Sequence, residues 1–220
     1  MTHDEVIPIL DFGSQYAQLI ARRVREAGVF SELVAPTISV AELKKMAPKG
    51  IILSGGPSSV YETGAPKCDP AIFDLGIPVL GICYGMQLGA LYLGGKVQPA
   101  KAREFGRAQL KINADEPLLK GLPQDTTVWM SHGDQIHDLP PEFVPIATTP
   151  TCPFAAARHV AKPFFGVQFH PEVTHTPRGE KVFQNFLYEI CKCRGTWSMG
   201  NFIEHSIAAI REQVGSGKVI

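Results

Sequence analysis

The sequence lacks an excess of charge of either sign. Its 220 residues include 21 Lys and Arg and 21 Asp and Glu, so the formal net charge is zero, and basic residues form no local run. Proteins that bind nucleic acids or anionic membranes usually neutralise phosphates with an excess of Lys and Arg. The composition therefore predicts neither a nucleic-acid partner nor a membrane partner.

Paired cysteines and long apolar runs are also missing. The five cysteines are Cys68, Cys83, Cys152, Cys191 and Cys193, an odd number without the spacing of a zinc site or a disulfide framework. No apolar run approaches the ~20 residues that span a bilayer. Residues 1–5 carry acid where a secretory signal carries positive charge. These absences predict a cytoplasmic protein with free thiols and no metal site.

The chain contains neither internal repeats nor low-complexity tracts. Hydrophobic residues make up 45% and charged residues 19% of the sequence, a balance that excludes a disordered chain. A chain of this length forms one large domain or two small ones and buries roughly 70% of its unfolded surface. We therefore expect a folded protein whose core needs no covalent cross-links.

Short apolar runs alternate with segments of helical periodicity. Strands are predicted at residues 7–12, 29–34, 50–53, 77–82 and 164–169. Between them lie amphipathic segments, one of which opens with a capping box at Ser39 and Glu42. This alternation indicates an α/β fold with an open, mostly parallel, twisted sheet and helices on both faces. Residues 97–167 have shorter, turn-rich segments and are predicted to form a small β-ribbon region.

The pentapeptide GICYG at residues 81–85 is the strongest chemical signal. It has the form of a nucleophile elbow, in which two glycines flank a nucleophile between a strand and a helix. The sharp turn exposes the central side chain, and the helix N-terminus favours a thiolate. Most free cysteines are simply small buried residues, but the elbow favours Cys83 as a nucleophile.

A base and its orienting group are predicted in the HPE segment at residues 170–172. A thiol nucleophile needs a base, and the base needs a group that orients it. His170 follows an apolar strand, at the sheet edge where α/β proteins build their sites, and Glu172 lies just beyond it. His132 and His175 are the competing histidines. For His132 we find no carboxylate partner in a comparable position.

Acyl transfer also needs N–H donors that stabilise an oxyanion. The LSGGP segment at residues 53–57 follows a strand, and its two glycines leave room for a backbone N–H to approach a substrate. Gly56 is therefore a candidate donor, together with Tyr84, the residue after the nucleophile. A plain tight turn fits this segment about equally well. A phosphate site is less consistent with it, because no Lys-Ser/Thr pair follows the glycines.

Five blocks of the sequence together resemble the class I (triad) glutamine amidotransferases. They are DFGSQY at residues 11–16, LSGGP at 53–57, GICYGMQ at 81–87, SHGD at 131–134 and GVQFHPE at 166–172. The resemblance covers about residues 6–193 and implies the flavodoxin-like fold of that family. It also implies that Cys83 attacks the side-chain amide of L-glutamine, that His170 transfers the protons and that Glu172 orients His170.

The same resemblance implies a pocket for the substrate. Gln87 matches the family position that contacts the α-amino and carboxylate end of glutamine. Ser131, Gly133 and Asp134 match the loop that completes this pocket. These binding roles rest on the resemblance alone.

Two further blocks, at residues 170–176 and 197–203, resemble one branch of the family. In that branch the ammonia passes to an ATP-pyrophosphatase (synthetase) domain of the same or a partner chain. Residues 1–194 then correspond to the glutaminase domain, and residues 195–220 to a linker helix and the start of a synthetase domain that this sequence lacks. No cofactor is expected in this chain, ATP and Mg²⁺ are expected only in the synthetase domain, and the complete enzyme is expected to be a homodimer.

Three alternatives remain. A class I amidotransferase can instead serve anthranilate, CTP or carbamoyl phosphate synthesis. A non-catalytic amidotransferase-like module would only bind a partner, and the presence of Cys83, His170 and Glu172 disfavours it. A cysteine peptidase or esterase could share the elbow, but the block at residues 131–134 suits a free amino acid.

Overall fold

The computed structural model of the protein describes residues 4–215 and 217, and for residues 101–103, 201, 202, 204–206 and 209 it describes the backbone only. The strands are β1 (Val6–Leu10), β2 (Phe30–Val34), β3 (Ile51–Leu53), β4 (Val79–Ile82), β5 (Lys96–Ile112), β6 (Asp125–Asp138), β7 (Phe143–Thr148), β8 (Ala156–His159) and β9 (Phe164–Val167). The helices are α1 (Ala17–Glu26), α2 (Val40–Lys45), α3 (Tyr84–Tyr92), α4 (Gly179–Gln184), which continues as a π-helix over Asn185–Ile190, and α5 (Met199–Val214). Residues 218–220, assigned above to the start of the synthetase domain, lie outside the described residues.

Local sequence determines where several elements begin and end. Ser39 caps α2: its side chain accepts a hydrogen bond from the N–H of Glu42, and the Glu42 carboxylate accepts from the N–H of Ser39. This pair is the predicted capping box, and it satisfies donors that a helix start leaves free. Gly28, just beyond α1, has a φ of +68°, which a residue with a side chain rarely adopts. The chain can therefore turn directly from α1 into β2.

The strands form one sheet in the order β2-β1-β3-β4-β9-β8-β7-β5-β6. The first five are parallel neighbours, as predicted for an α/β fold. The β-ribbon region in the middle of the chain is more extensive than predicted. It forms an antiparallel extension of the same sheet, with β5 and β6 spanning 17 and 14 residues.

Side chains alternate between two cores, one on each face of the sheet. Ile7 and Ile9 of β1 belong to the core beneath α1 and α4, whereas Leu10 belongs to the core beneath α2 and α3. In β3, Ile52 faces the first core, and its neighbours on either side face the second. Burial on both faces explains why these strands are apolar throughout. The predicted α/β fold with helices on both faces is confirmed.

The parallel part of the sheet brings three strand ends together. Leu53 pairs with Gly81, and Ile82 pairs with Val167, so the carboxyl ends of β3, β4 and β9 are adjacent. Open α/β sheets bind ligands at this edge. None of the helices that the structure describes has the length and apolar character needed to cross a bilayer.

Candidate active site

Cys83 occupies the turn between β4 and α3. Its backbone has a φ of 51° and a ψ of −105°, one of three positive φ values among the described non-glycine residues. Such a conformation is strained, and strain of this kind is concentrated at functional sites. The N–H of Cys83 donates to the carbonyl of Val167 at 2.8 Å, which ties the turn to β9. The structure therefore has the geometry of the predicted nucleophile elbow.

The two glycines of the elbow are required by close backbone contacts. A Cβ on Gly81 would lie 2.6 Å from the backbone nitrogen of Met86, and a Cβ on Gly85 would overlap the carbonyl oxygen of Leu53. Real Cβ atoms do not approach backbone atoms this closely, so any side chain here would displace α3 from the sheet. The glycines thus let the helix start directly over the end of β4.

His170 and Glu172 form a buried pair behind the elbow. Nδ1 of His170 lies 2.7 Å from Oε1 of Glu172, and the two residues are 4% and 0% exposed. Burial lowers the pKa of His170, but the hydrogen bonds and charges of Cys83 and Glu172 outweigh this effect and raise that pKa well above 6.5. The arrangement favours an imidazolium that contacts the Cys83 side chain on one edge and the carboxylate on the other.

The backbone around His170 is fixed by further hydrogen bonds. The N–H of His170 donates to the carbonyl of Trp129, and Thr176 Oγ1 donates to the carbonyl of His170 at 2.7 Å. The ring of Tyr16 meets the imidazole edge-on, with 5.3 Å between the ring centres. Because the main chain and one edge of the ring are held, the imidazole has little freedom to turn away from Cys83.

Two backbone N–H groups remain free beside the nucleophile. In the part of the chain that the structure describes, the N–H groups of Gly56 and Tyr84 have no acceptor, as an oxyanion hole requires. Gly55, which the sequence analysis did not single out, packs still closer to the reactive side chains. A Cβ on Gly55 would lie 3.2 Å from Cε1 of His170 and 3.8 Å from Cβ of Cys83.

A cavity of about 610 Å³ opens in front of Cys83. The predicted residues that line it are Gly56, Cys83, Tyr84, Gln87, Ser131, Gly133, Asp134 and His170. Glu172 is the exception, since it is fully buried behind His170. The structure therefore brings together all the site residues that the sequence predicted. Glu172 lies behind His170, and the others line the cavity.

A hydrogen-bond network that the sequence analysis missed connects Gln87 to the nucleophile. Nε2 of Gln87 donates to the carbonyl of Asp134 at 2.8 Å and to Oε1 of Gln168 at 3.2 Å. Nε2 of Gln168 in turn donates to the sulfur of Cys83 at 3.6 Å. Gln168 is fully buried, and its only signal in the sequence is its place in the block before His170.

His132 has a carboxylate partner, although the sequence offers none in a strand-end position comparable to that of Glu172. Nε2 of His132 lies 3.0 Å from Oε2 of Glu104, which the neighbouring strand β5 supplies. Cys152 lies beside this pair, and the potential ligand atoms of all three residues are within 4.8 Å of one another. Burial raises the pKa of Cys152 to about 12, which disfavours the thiolate that a metal would need. Glu104 and His132 already bind each other, so the group has the chemistry of a buried hydrogen-bonded pair.

Comparisons with known proteins match this chain to glutamine amidotransferases and glutamine-hydrolysing GMP synthases. The family model described as glutamine amidotransferase class-I matches residues 8–190. The chain is 56% identical over 216 residues to the GMP synthase (glutamine-hydrolyzing) of Caldanaerobacter subterraneus, and 55% identical over 217 residues to that of Bacillus pumilus. These alignments cover 98% and 99% of this chain but only 42% of each relative. The chain thus spans less than half the length of these relatives.

Solved structures agree with the sequence comparisons. A Thermoplasma acidophilum protein provisionally described as a GMP synthase component is 34% identical, with a TM-score of 0.79, over 93% of this chain and 98% of that one. A glutamine amidotransferase from Thermotoga maritima shares the fold, with a TM-score of 0.61 over 96% of this chain and 93% of that one, at 22% identity.

Proposed function

This chain belongs to the glutamine amidotransferase class-I family, and from that premise we propose that it is the glutaminase part of a GMP synthase. The proposed reaction converts L-glutamine and water to glutamate and ammonia. The observation that carries it is the line from Cys83 through His170 to Glu172 beside a cavity with free N–H groups. Nucleophile, base and orienting carboxylate in this order are the requirements of covalent acyl transfer.

The first half of the reaction forms a thioester. The sulfur of Cys83 attacks the side-chain carbonyl carbon of glutamine, and the oxygen becomes an oxyanion that the N–H groups of Gly56 and Tyr84 stabilise. The tetrahedral intermediate collapses when the C–N bond breaks. His170 protonates the departing nitrogen, which leaves as ammonia, and the γ-glutamyl group stays on Cys83.

The second half releases glutamate. His170, now neutral, takes a proton from water, and the resulting hydroxide attacks the thioester carbonyl. The C–S bond breaks, the Cys83 sulfur leaves as a thiolate beside the re-protonated His170, and glutamate is released, so one water is consumed for each glutamine. Glu172 keeps the ring of His170 in one orientation through both steps and stabilises its charged form.

The substrate end of the cavity is assigned to Gln87, Ser131, Gly133 and Asp134. All four line the space in front of Cys83. Gln87 directs its amide nitrogen into the protein, which leaves its oxygen as a candidate acceptor for the α-ammonium of glutamine. The cavity thus offers polar groups that fit a free amino acid.

The use of the ammonia is proposed from the relatives. They are named GMP synthase, and this chain corresponds to less than half of their length. We assign residues 1–194 to the glutaminase domain and residues 195–220 to a linker. A synthetase domain of the same or a partner chain would use ATP to adenylate XMP, and ammonia would displace AMP to give GMP in purine biosynthesis.

A coupled assay tests the proposal. The chain, with and without an XMP-aminating synthetase domain, is incubated with glutamine, and glutamate and GMP are measured. We expect Cys83→Ala to abolish glutamate formation, whereas the matched change Cys68→Ala, at a cysteine that does not line the cavity, should retain it. Turnover by Cys83→Ala would refute the nucleophile. Stimulation by an anthranilate, CTP or carbamoyl phosphate synthase, and not by the XMP-aminating domain, would refute the assignment to GMP synthesis.

A further inference from the structure

His132 lies between a backbone carbonyl and the carboxyl group of Glu104. Its Nδ1 is 2.9 Å from the carbonyl oxygen of Asp134, and its Nε2 is 3.0 Å from Oε2 of Glu104. A neutral imidazole has a single N–H and would leave one of these contacts between two acceptors. The side chain of His132 is 1% exposed, so water cannot supply the missing proton. With Glu104 ionised, the contacts are satisfied together only when both ring nitrogens carry hydrogen.

The surroundings of Glu104 favour its ionised form. Oε2 accepts from His132, while Oε1 accepts from the hydroxyl of Thr149 at 2.8 Å and from the hydroxyl of Thr151. Burial raises the pKa of Glu104, but these hydrogen bonds outweigh it and hold the pKa below its ordinary value. A carboxylate with three donors is the natural counter-ion for a buried imidazolium.

The imidazolium would act on the substrate segment through one carbonyl. The oxygen of Asp134 accepts from His132 and also from Nε2 of Gln87 at 2.8 Å. The carbonyl oxygen of Ser131, at the other end of the segment, lies 3.7 Å from the sulfur of Cys83. The segment at residues 131–134 thus contacts the nucleophile at one end and the charged ring at the other.

We propose that Glu104 holds His132 as an imidazolium, and that this ring positions the substrate-binding segment at residues 131–134 through the carbonyl of Asp134. His132 and Glu104 are positioning residues, because the triad does not need them for proton transfer. The inference rests on the proposed glutaminase function for its effect on the substrate. Its structural part, the charge on His132, stands independently of that function.

Other titratable groups around His132 do not remove the need for this charge. On β5 the group in contact is Glu104, and across the cavity lie Cys83 and His170, which bind each other. Cys152, from the segment before β8, is kept as a neutral thiol by burial. Asp134 also lines this cavity, and its contact with His132 is through its backbone carbonyl.

The charge on His132 is measured directly by nuclear magnetic resonance on the ¹⁵N-labelled chain at neutral pH. Long-range ¹H–¹⁵N spectra distinguish a ring with two protonated nitrogens from one with a single proton, and His132→Gln assigns the signal among the seven histidines. We expect a doubly protonated ring. A neutral His132 would overturn the proposal even if glutamine is hydrolysed normally, because the protonation is read from the unchanged chain and His132→Gln serves only to assign the signal.

Kinetics test the positioning role. Glu104→Gln keeps the shape of the side chain but removes its charge, so KM for glutamine should rise about tenfold, while kcat stays within about threefold. Glu116→Gln breaks a comparable ion pair, with Arg158 at 2.8 Å, and His159→Gln removes a buried histidine outside the cavity. Neither control should change KM.

The outcomes separate the inference from the proposed function. If the unchanged chain, with its synthetase partner, hydrolyses no glutamine, the proposed function fails while the charge on His132 is still decided by resonance. If Glu104→Gln lowers kcat and leaves KM unchanged, the pair takes part in the chemistry and the positioning role is wrong. If both controls raise KM as much as Glu104→Gln does, the effect is one of general stability and the inference is likewise overturned.

Discussion

Nδ1 of His170 lies 2.7 Å from Oε1 of Glu172, although one proline alone separates the two residues. The second oxygen of Glu172 is buried and has no hydrogen-bond partner in the described part of the chain. In the described part of the chain, the imidazole of His170 is therefore the hydrogen-bond partner of this carboxylate. A buried charge with a single partner is costly unless that partner carries the opposite charge. Glu172 therefore stabilises the protonated form of His170.

Replacing Glu172 with Gln should reduce glutamine hydrolysis strongly and leave the fold intact. An amide of the same shape cannot stabilise the imidazolium, and it no longer selects the correct ring orientation. We expect kcat to fall about a hundredfold or more, with a smaller change in KM. Steady-state kinetics measure both quantities. An unchanged kcat would show that Glu172 does not orient His170.

The same variant should alter how stability depends on pH. His170 has a raised pKa in the folded state, so the folded chain binds a proton more tightly than the unfolded chain. This contribution is complete below the unfolded pKa of about 6.5 and is lost as pH rises through the folded value. The free energy of unfolding should therefore decrease with rising pH, by up to about 1.4 kcal/mol per unit for one proton.

Urea unfolding at several pH values between about 6 and 8 measures this decrease. In Glu172→Gln the decrease should be smaller, since one of the two groups that hold the proton is gone. His159 provides an internal contrast, because burial lowers its pKa. Its contribution has the opposite sign: it is present above about 6.5 and lost as pH falls. An identical slope in the wild type and Glu172→Gln would contradict the assignment of the proton to this pair.

Cysteine variants should separate the chemistry at Cys83 from its backbone strain. Replacement by Gly removes the steric cost of the positive φ, about 1–3 kcal/mol, against an entropy cost of about 0.5–1 kcal/mol. Cys83→Gly should thus be more stable than Cys83→Ala by about 1 kcal/mol, and both should be inactive. Cys68 has no positive φ, so there the order should reverse. The same order at both positions in thermal or urea unfolding would rule out strain at Cys83.

The catalytic residues that sequence reasoning found share one property: each is encoded locally, whereas the binding roles of Gln87, Ser131, Gly133 and Asp134 came from resemblance alone. Cys83 lies in a five-residue turn and His170 and Glu172 in a three-residue segment, so their spacing was visible in the sequence. The edge of the sheet that unites them follows from the α/β pattern. Local spacing together with a general rule of topology was enough to predict which of the seven histidines faces the nucleophile.

Glu104 shows why the remainder could not be predicted. Its contact with His132 depends on the register of β5 against β6, which shifts at a bulge between Pro99 and Glu104. Such shifts leave no clear pattern in the sequence. The lengths of β5 and β6 were also missed: shorter, turn-rich segments were expected over residues 97–167, whereas Gly106, with a φ of +117°, pairs with Met130 inside a continuous ribbon.

The elbow glycines lead to a steric prediction. Gly81→Ala places a methyl group against the backbone nitrogen of Met86, and backbone in a packed core cannot move aside as a flexible side chain can. We expect a loss of about 1–3 kcal/mol in the free energy of unfolding and a large loss of glutaminase activity, because the start of α3 carries the N–H of Tyr84. Gly200→Ala is the matched control. It lies in the first turn of α5, where Ser198 Oγ, at 3.8 Å, is the one atom within 4 Å of an added Cβ among the described side chains. Alanine is the better helix former, so this variant should gain about 0.5–1 kcal/mol and keep full activity. If Gly81→Ala were as stable and as active as the wild type, the tight approach of α3 to β4 could not be what positions the nucleophile.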